Sequence, residues 1–281
     1  MKAKNIKNYI FTALSLYLIS SCQNQTKDQI KPPQEFEEIS KGILVEKFDS
    51  LNKDESRYNL DNVIYTEKIR LKYTYSIVKD NKEKYVNSFK KDWVFVEQDD
   101  TSALELYFEA EILPGNPMEK FVPNYQQTNV RYVYPDGYST MTGLIENTKN
   151  LWMHPPRAGI FSLLQLSGFP FVQYPLDLNS KYTWSLTSGS HYADKRFVWW
   201  DGNITTQMTY SVKSKQKVDT PFGLLDCYYI EATSNNDLGE TQTKLYFNSK
   251  YGFVKTEFMS IDGTEININL TEIGYITDNI E

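Results

Sequence analysis

Leu71-Lys72-Tyr73-Thr74-Tyr75-Ser76-Ile77 and Leu104-Glu105-Leu106-Tyr107-Phe108-Glu109-Ala110-Glu111-Ile112 decide the fold, because apolar residues recur at every second position in both. A period of two belongs to strands with one buried face, since successive side chains leave a strand on opposite sides. Glu105, Glu109 and Glu111 then form a column of carboxylates expected to face water. The same alternation returns in Thr206, Met208, Tyr210 and Val212 against Thr205, Gln207, Thr209 and Ser211, and in Ile266, Ile268 and Leu270 against Asn267, Asn269 and Thr271.

Between these runs stand Asp201-Gly202, Pro221-Phe222-Gly223, Ser249-Lys250-Tyr251-Gly252 and Asp262-Gly263. Asp-Gly tolerates the positive φ of tight hairpin turns, so adjacent antiparallel strands are expected at each. The fold class implied is mainly β, a single curved antiparallel meander forming an open or closed barrel over residues 62–281. The best alternative domain boundary is the segment from Leu113-Pro114-Gly115 to about residue 127.

Residues 150–180 break the rhythm with Trp152-Met153-His154-Pro155-Pro156-Arg157, Phe169-Pro170-Phe171 and Tyr174-Pro175-Leu176. Proline has no N–H to give a central ladder, so this stretch is expected outside the sheet, covering an opening or an edge, with a short helix through Ile160, Leu163 and Leu164. Upstream, Phe36, Ile39, Ile43 and Phe48 fall loosely on one helical face, interrupted by Gly42. Residues 35–61 therefore read as a mixed segment with a short helix at best.

The first residues carry an address. Lys2, Lys4 and Lys7 precede the apolar run Tyr9 to Ile19 and the small pair Ser20-Ser21, the order of a secretory signal over residues 1–21. Ile19-Ser20-Ser21-Cys22 resembles the lipobox of bacterial lipoproteins, which implies cleavage before Cys22 and lipid on its thiol. Several acyl chains exceed the one-chain limit of weak, reversible binding, so the membrane is the first expected partner. By the same resemblance Gln23 after the anchor favours the outer membrane, on its periplasmic side or at the cell surface. Residues 22–34, polar and ending near Pro32-Pro33, read as a tether. Asp49-Ser50-Leu51 resembles a short O-glycosylation signal, with Ser50 as acceptor.

Removing Lys2, Lys4 and Lys7 with no acid takes the formal charge from −6 to −9, which argues against nucleic acid as a partner. With Cys22 lipidated, Cys227 has no intramolecular disulfide partner, and stability must come from the core. Aromatic residues make up 15% of the chain, 21 of them tyrosine, so that core has large side chains to bury.

From Lys215 onward, Val218-Asp219-Thr220-Pro221-Phe222-Gly223-Leu224-Leu225-Asp226-Cys227-Tyr228, Lys244-Leu245-Tyr246-Phe247 and Tyr251-Gly252-Phe253-Val254-Lys255 are similar to periplasmic β-rich proteins of the TapB-like type, grouped with the LolA/LolB-like open barrels. The resemblance implies a strongly curved sheet around an apolar interior, often with a helix plugging the open side. Some such relatives carry lipids or acylated proteins. No catalytic residue comes with it.

Trp152, His154 and Arg157 form the densest chemically capable cluster outside the strands: an indole to stack, an imidazole to exchange protons, a guanidinium to grip an anion. Trp184 and Trp199 complete the candidate binding set, Trp199-Trp200 being expected to place one indole on each sheet face. For each there is a plainer structural role, in plugging the barrel or packing a strand end. Two histidines without ligand spacing give no metal site, no cofactor motif is present, and Ser188-Gly189-Ser190-His191 reads as a loop rather than a nucleophile beside a base. The first reading is a non-enzymatic binding or carrier module for a hydrophobic ligand, the alternative is a structural or assembly subunit of an envelope protein complex, and a hydrolase of envelope polymers ranks last.

Overall fold

The computed structural model describes residues 36–40, 43–46, 62–115, 127–146 and 150–276. Contacts divide the chain into residues 1–33 and 34–281, and the described residues all belong to the second unit. The signal sequence, Cys22, the tether and Ser50 lie outside the described residues, as do 116–126 of the alternative boundary.

The strands are β1 (Phe36–Ser40), β2 (Ile43–Glu46), β3 (Ile69–Lys79), β4 (Lys82–Glu83), β5 (Tyr85–Val86), β6 (Phe95–Val96), β7 (Tyr107–Ile112), β8 (Thr128–Val133) and β9 (Ser139–Glu146). They continue with β10 (Asn150–Met153), β11 (Phe171–Gln173), β12 (Lys181–Gly189), β13 (Asn203–Thr220), β14 (Gly223–Asn236), β15 (Gly239–Asn248), β16 (Gly252–Met259) and β17 (Glu265–Tyr275). One antiparallel sheet runs β11-β10-β9-β8-β7-β3-β17-β16-β15-β14-β13-β12, with β4 appended to β3. Only the junction of β3 with β7 and β17 departs from sequential order, so the sheet is the expected meander, with β3 slotted between its two arms.

Side-chain alternation explains the curvature and the core. Leu71, Tyr73, Tyr75 and Ile77 of β3 are buried, as are Ile204, Thr206, Met208, Tyr210 and Val212 of β13, while Thr205, Gln207 and Thr209 are exposed. Glycines occur where the backbone turns left-handed: Gly223 after the Pro221-Phe222 tip has φ 99°, and Gly263 in the β16–β17 turn has φ 78°.

Four expectations are corrected. Phe36–Ser40 and Ile43–Glu46 pair as antiparallel strands instead of forming a helix. Asp201-Gly202 ends a long β12–β13 connection rather than making a two-residue hairpin, because β12 already stops at Gly189. The short helix through Ile160 and Leu164 is present as a 3-10 segment, Gly159–Leu166, but two parts of the cover, β10 and β11, belong to the sheet. The prolines flank these short strands, where none has to donate to the ladder, and Pro170 only accepts, its carbonyl taking the Met153 N–H at 2.9 Å. Glu111 leaves the solvated column: it is buried, and the Arg131 Nε donates to its Oε2 at 2.6 Å. Glu109 faces Arg70 at 3.9 Å, and Glu105 is exposed before β7 begins.

Candidate functional site

β11 and β12 are the two ends of the sheet, and they meet without a ladder. The Tyr182 hydroxyl of β12 donates to the Phe171 carbonyl of β11 at 2.8 Å. Tyr210 donates to the Phe169 carbonyl at 2.9 Å, and Tyr132 to the His154 carbonyl at 2.7 Å. A buried tyrosine needs a partner for its hydroxyl, and the cover supplies carbonyls. Three inward tyrosines on three strands thus pin the cover across the opening.

Trp152, His154 and Trp184 come together within this seam. The Trp152 and Trp184 rings meet edge to face at 5.6 Å, and Phe169 lies 6.0 Å from Trp152, 4.8 Å from His154 and 5.6 Å from Trp184. Phe171 closes the group against Tyr182 and Tyr210 at 5.2 and 5.4 Å. Offset and edge-to-face contacts of this kind add to the burial of the rings themselves. His154 Nδ1 sits 2.7 Å from the Pro155 carbonyl, a contact that requires a proton on that nitrogen. Burial, seconded by the Arg157 charge, pulls its pKa down to about 3, so the ring is neutral at pH 7.

Arg157 turns outward from this group. Its Nη2 donates to the Met141 carbonyl at 2.6 Å and its Nη1 to the Tyr192 hydroxyl at 3.1 Å. Trp199 stands apart, 50% exposed, with the Lys195 ammonium 5.2 Å from its ring centre, whereas Trp200 is buried against Leu166 and Ile204. Ser188 Oγ donates to the Gln165 carbonyl at 3.1 Å, and the following Ser190–Tyr192 is a 3-10 turn. Among the described residues no group of three His, Cys, Asp or Glu side chains could hold a metal ion.

Beneath the cover, Tyr73, Phe108, Tyr132, Met153, Pro155 and Phe253 border a space of about 30 Å³. That is room on the scale of one water molecule. A drug-sized ligand needs roughly 300 Å³ or more.

A second constellation, invisible in the sequence, pins the chain that leads into β3. The Glu146 carboxylate at the end of β9 accepts the backbone N–H groups of Val63, Ile64 and Tyr65 at 3.0, 2.8 and 2.9 Å. Tyr65 is thereby driven into the barrel end, where its hydroxyl accepts the Phe253 N–H at 3.0 Å. The sequence signal that pointed to part of the site was the cluster of Trp152 and His154 among prolines. Nothing local marks Glu146, which looks like any strand-end acid.

No family model matches the chain, and no curated protein does. Among solved structures it is similar to an exported protein with a YmcC-like fold from Bacteroides fragilis, at 11% identity over 78% of this chain and 98% of that one, with a TM-score of 0.35. It is similar to the hypothetical lipoprotein YmcC from Escherichia coli at 9% identity, covering 77% and 92%, with a TM-score of 0.34. A lipoprotein from Parabacteroides distasonis gives 12% identity, 76% and 100% coverage and a TM-score of 0.36.

Proposed function

We propose that this chain is an exported lipoprotein, held through lipid on Cys22 to the outer membrane with its periplasmic side favoured, whose filled barrel serves as a structural or assembly subunit of an envelope protein complex. The observation that carries this reading is the interior: the inward faces of β3, β7, β13 and β17 are buried, largely aromatic and aliphatic side chains in mutual contact, and among the described residues the space bordered by Tyr73, Phe108 and Met153 beneath the cover is about 30 Å³. A carrier of a hydrophobic ligand would need this interior to yield about ten times that volume to reach the usual ligand range. Two acids that hydrolysis could draw on are otherwise engaged, Glu111 on Arg131 and Glu146 on three backbone amides.

A filled barrel acts through its outside. Trp199, in the connection between β12 and β13, and Val94, in the connection between β5 and β6, are both about half exposed. Trp199 has Lys195 beside it, and the neighbouring residues of both segments meet in the Trp93–Phe197 stack. Arg196 lies over the Trp93 ring and bonds its carbonyl, which holds this layer together. Indoles and arginines are the side chains that dominate protein interfaces.

The test is a photo-crosslinking residue at Trp199 or Val94 in growing cells, together with lipid extraction from the natively purified chain. One defined protein adduct is the expected result. Stoichiometric lipid in the extract with no adduct at either position would replace this reading with the carrier. A Cys22→Ser chain should leave the membrane fraction, and one that stays there would overturn the anchor.

A further inference from the structure

β12 pairs with β13 no further along than Ser211, and β15 pairs with β14 only from Tyr228 onward. β13 and β14 continue past both neighbours and pair with each other through Lys215↔Tyr228, Lys217↔Asp226, Asp219↔Leu224 and Thr220↔Gly223. Residues 214–227 are therefore a two-stranded ribbon. At about 3.4 Å per residue it runs roughly 17 Å along its own length past the last rung with β15, with Val218, Phe222 and Leu225 on one face packed against the core.

The ribbon leaves the barrel at the end where Tyr65 is seated. Phe222 at the tip stacks on Tyr251 at 5.1 Å, and the next two residues, Gly252 and Phe253, are those against which Tyr65 packs. The side chains are layered along the ribbon. Pro221 and Gly223 are exposed at the tip and Leu224 is 59% exposed. Beside the tip, in the β15–β16 turn, Lys250 lies over Tyr251 at 4.7 Å, and further back along the ribbon come Lys217 at 3.9 Å from Asp226 and Lys215 over Tyr228 at 4.4 Å. An apolar end followed by a belt of tyrosine and lysine is the order of a membrane interface, with the lysine stems lying along apolar surface and their heads in the headgroup layer. Asp219, across from Leu224, is the carboxylate that such a contact must leave among the headgroups.

We propose that the tip Pro221 to Leu224 inserts shallowly into the bilayer that holds the lipid on Cys22, with Tyr228, Tyr251, Lys215, Lys217 and Lys250 at its surface. The proposal rests on the lipoprotein reading above. A tethered contact is intramolecular in effect, at an effective concentration of order millimolar, so a contact too weak to hold a vesicle by itself is engaged. Lysines near an anionic surface contribute about fivefold each to such an equilibrium.

The test uses the lipidated full chain carrying Leu224→Cys in vesicles of phosphatidylethanolamine and phosphatidylglycerol, probed with a membrane-impermeant maleimide. Cys22 is then acylated, and Cys227 is buried with its thiol pushed up to about 11, so the new thiol is the reactive one. Modification is expected to run about tenfold slower than in the unlipidated Cys22→Ser chain without vesicles, the factor for a tip inserted nine-tenths of the time. Met259→Cys, at the opposite end of β16, should react alike in both. Adding Lys215→Gln or Lys217→Gln should lower the inserted-to-free ratio about fivefold each. A chain that floats with the vesicles while the thiol introduced at position 224 reacts at full rate overturns the ribbon contact and leaves the anchor standing. Protection found in cell envelopes but not in vesicles assigns the ribbon to a partner protein and also overturns it. A chain that does not float overturns the anchor and this proposal with it.

Discussion

Replacing Gly252 by alanine should cost about 3 kcal/mol or more, a large share of the stability of an ordinary domain. Two physical effects add at this position. The backbone has φ 74°, where a Cβ meets the neighbouring carbonyl at about 1–2 kcal/mol. The new Cβ would also lie 2.2 Å from the Tyr65 hydroxyl and 2.6 Å from the ring carbon bearing it. That ring cannot step aside, because Tyr65 is fully buried, its hydroxyl holds Phe253 N–H, and its backbone is held by Glu146. Overpacking of a well-filled site adds roughly 1–3 kcal/mol. With a urea m-value of about 2–3 kcal/mol/M, the midpoint should fall by about 1 M or more. Tyr65→Phe should itself cost about 1–3 kcal/mol through the orphaned Phe253 N–H, yet it removes the nearest clashing atom. The double variant should therefore be less destabilised than the sum of the singles by about 1 kcal/mol or more. A Gly252→Ala chain within about 1 kcal/mol of the parent, or strict additivity, would refute the claim that Tyr65 is locked beneath this turn.

Three further outcomes are expected. Glu146→Ala should lose about 3–5 kcal/mol, because three backbone N–H groups lose a charged acceptor, and hydrogen exchange should speed up first at Val63, Ile64 and Tyr65; unchanged exchange there would deny the clasp. Trp184→Ala should cost about 3–5 kcal/mol and open a cavity at the seam, detectable as benzene-dependent stabilisation that the parent chain lacks, whereas a parent already stabilised by benzene would show the interior to be hollow. His154 has its folded pKa depressed to about 3, below the unfolded value, so the unfolded chain takes up its proton first as pH falls. Its neutral burial is without cost above about pH 6.5, and stability drains between there and about pH 3, by about 1–2 kcal/mol at pH 5 for this half-buried ring. The comparison is His154→Gln against parent in urea at pH 7 and pH 5; equal losses in both chains would exclude the imidazole as the cause.

Strands with one dry and one wet face were legible because a barrel wall imposes a strict period of two. β3, β13 and β17 bury the residues that the alternation singles out. The period failed where burial changes sides: Ile112 and Glu111 are neighbours on β7 and both buried, since Arg131 on β8 gives the acid a partner on the outer face. Helical spacing in Phe36, Ile39 and Ile43 misled because three- and four-residue gaps also arise when two short paired strands follow one another closely. Of the candidate site, Trp152 and His154 were legible, with Arg157, as a cluster beside prolines, and Trp184 only as a further member of the binding set; their joint use as a seam was not legible. Arg157 and Trp199 answer to loops outside it. Contacts such as Glu146 with Val63, or Arg196 with Trp93, join residues 83 and 103 apart, and no local pattern encodes such a pairing.

The manner of closure bears on function. A sheet whose ends paired rung by rung would have no weakest line, but β11 is three residues long and lies between Pro170 and Pro175, too short and too flanked to build a ladder with β12. Closure passes instead to hydroxyls and ring faces, Tyr182 on Phe171 and Trp184 on Trp152, which occupy the volume that an open barrel of this kind would keep for a ligand. The aromatic side chains that seal the seam also fill the interior beside it. A wall sealed in this way is stable only while it stays full, so surrendering space to a ligand would also surrender the contacts that hold β11 to β12. That coupling ties the short edge strand to the packing beside it.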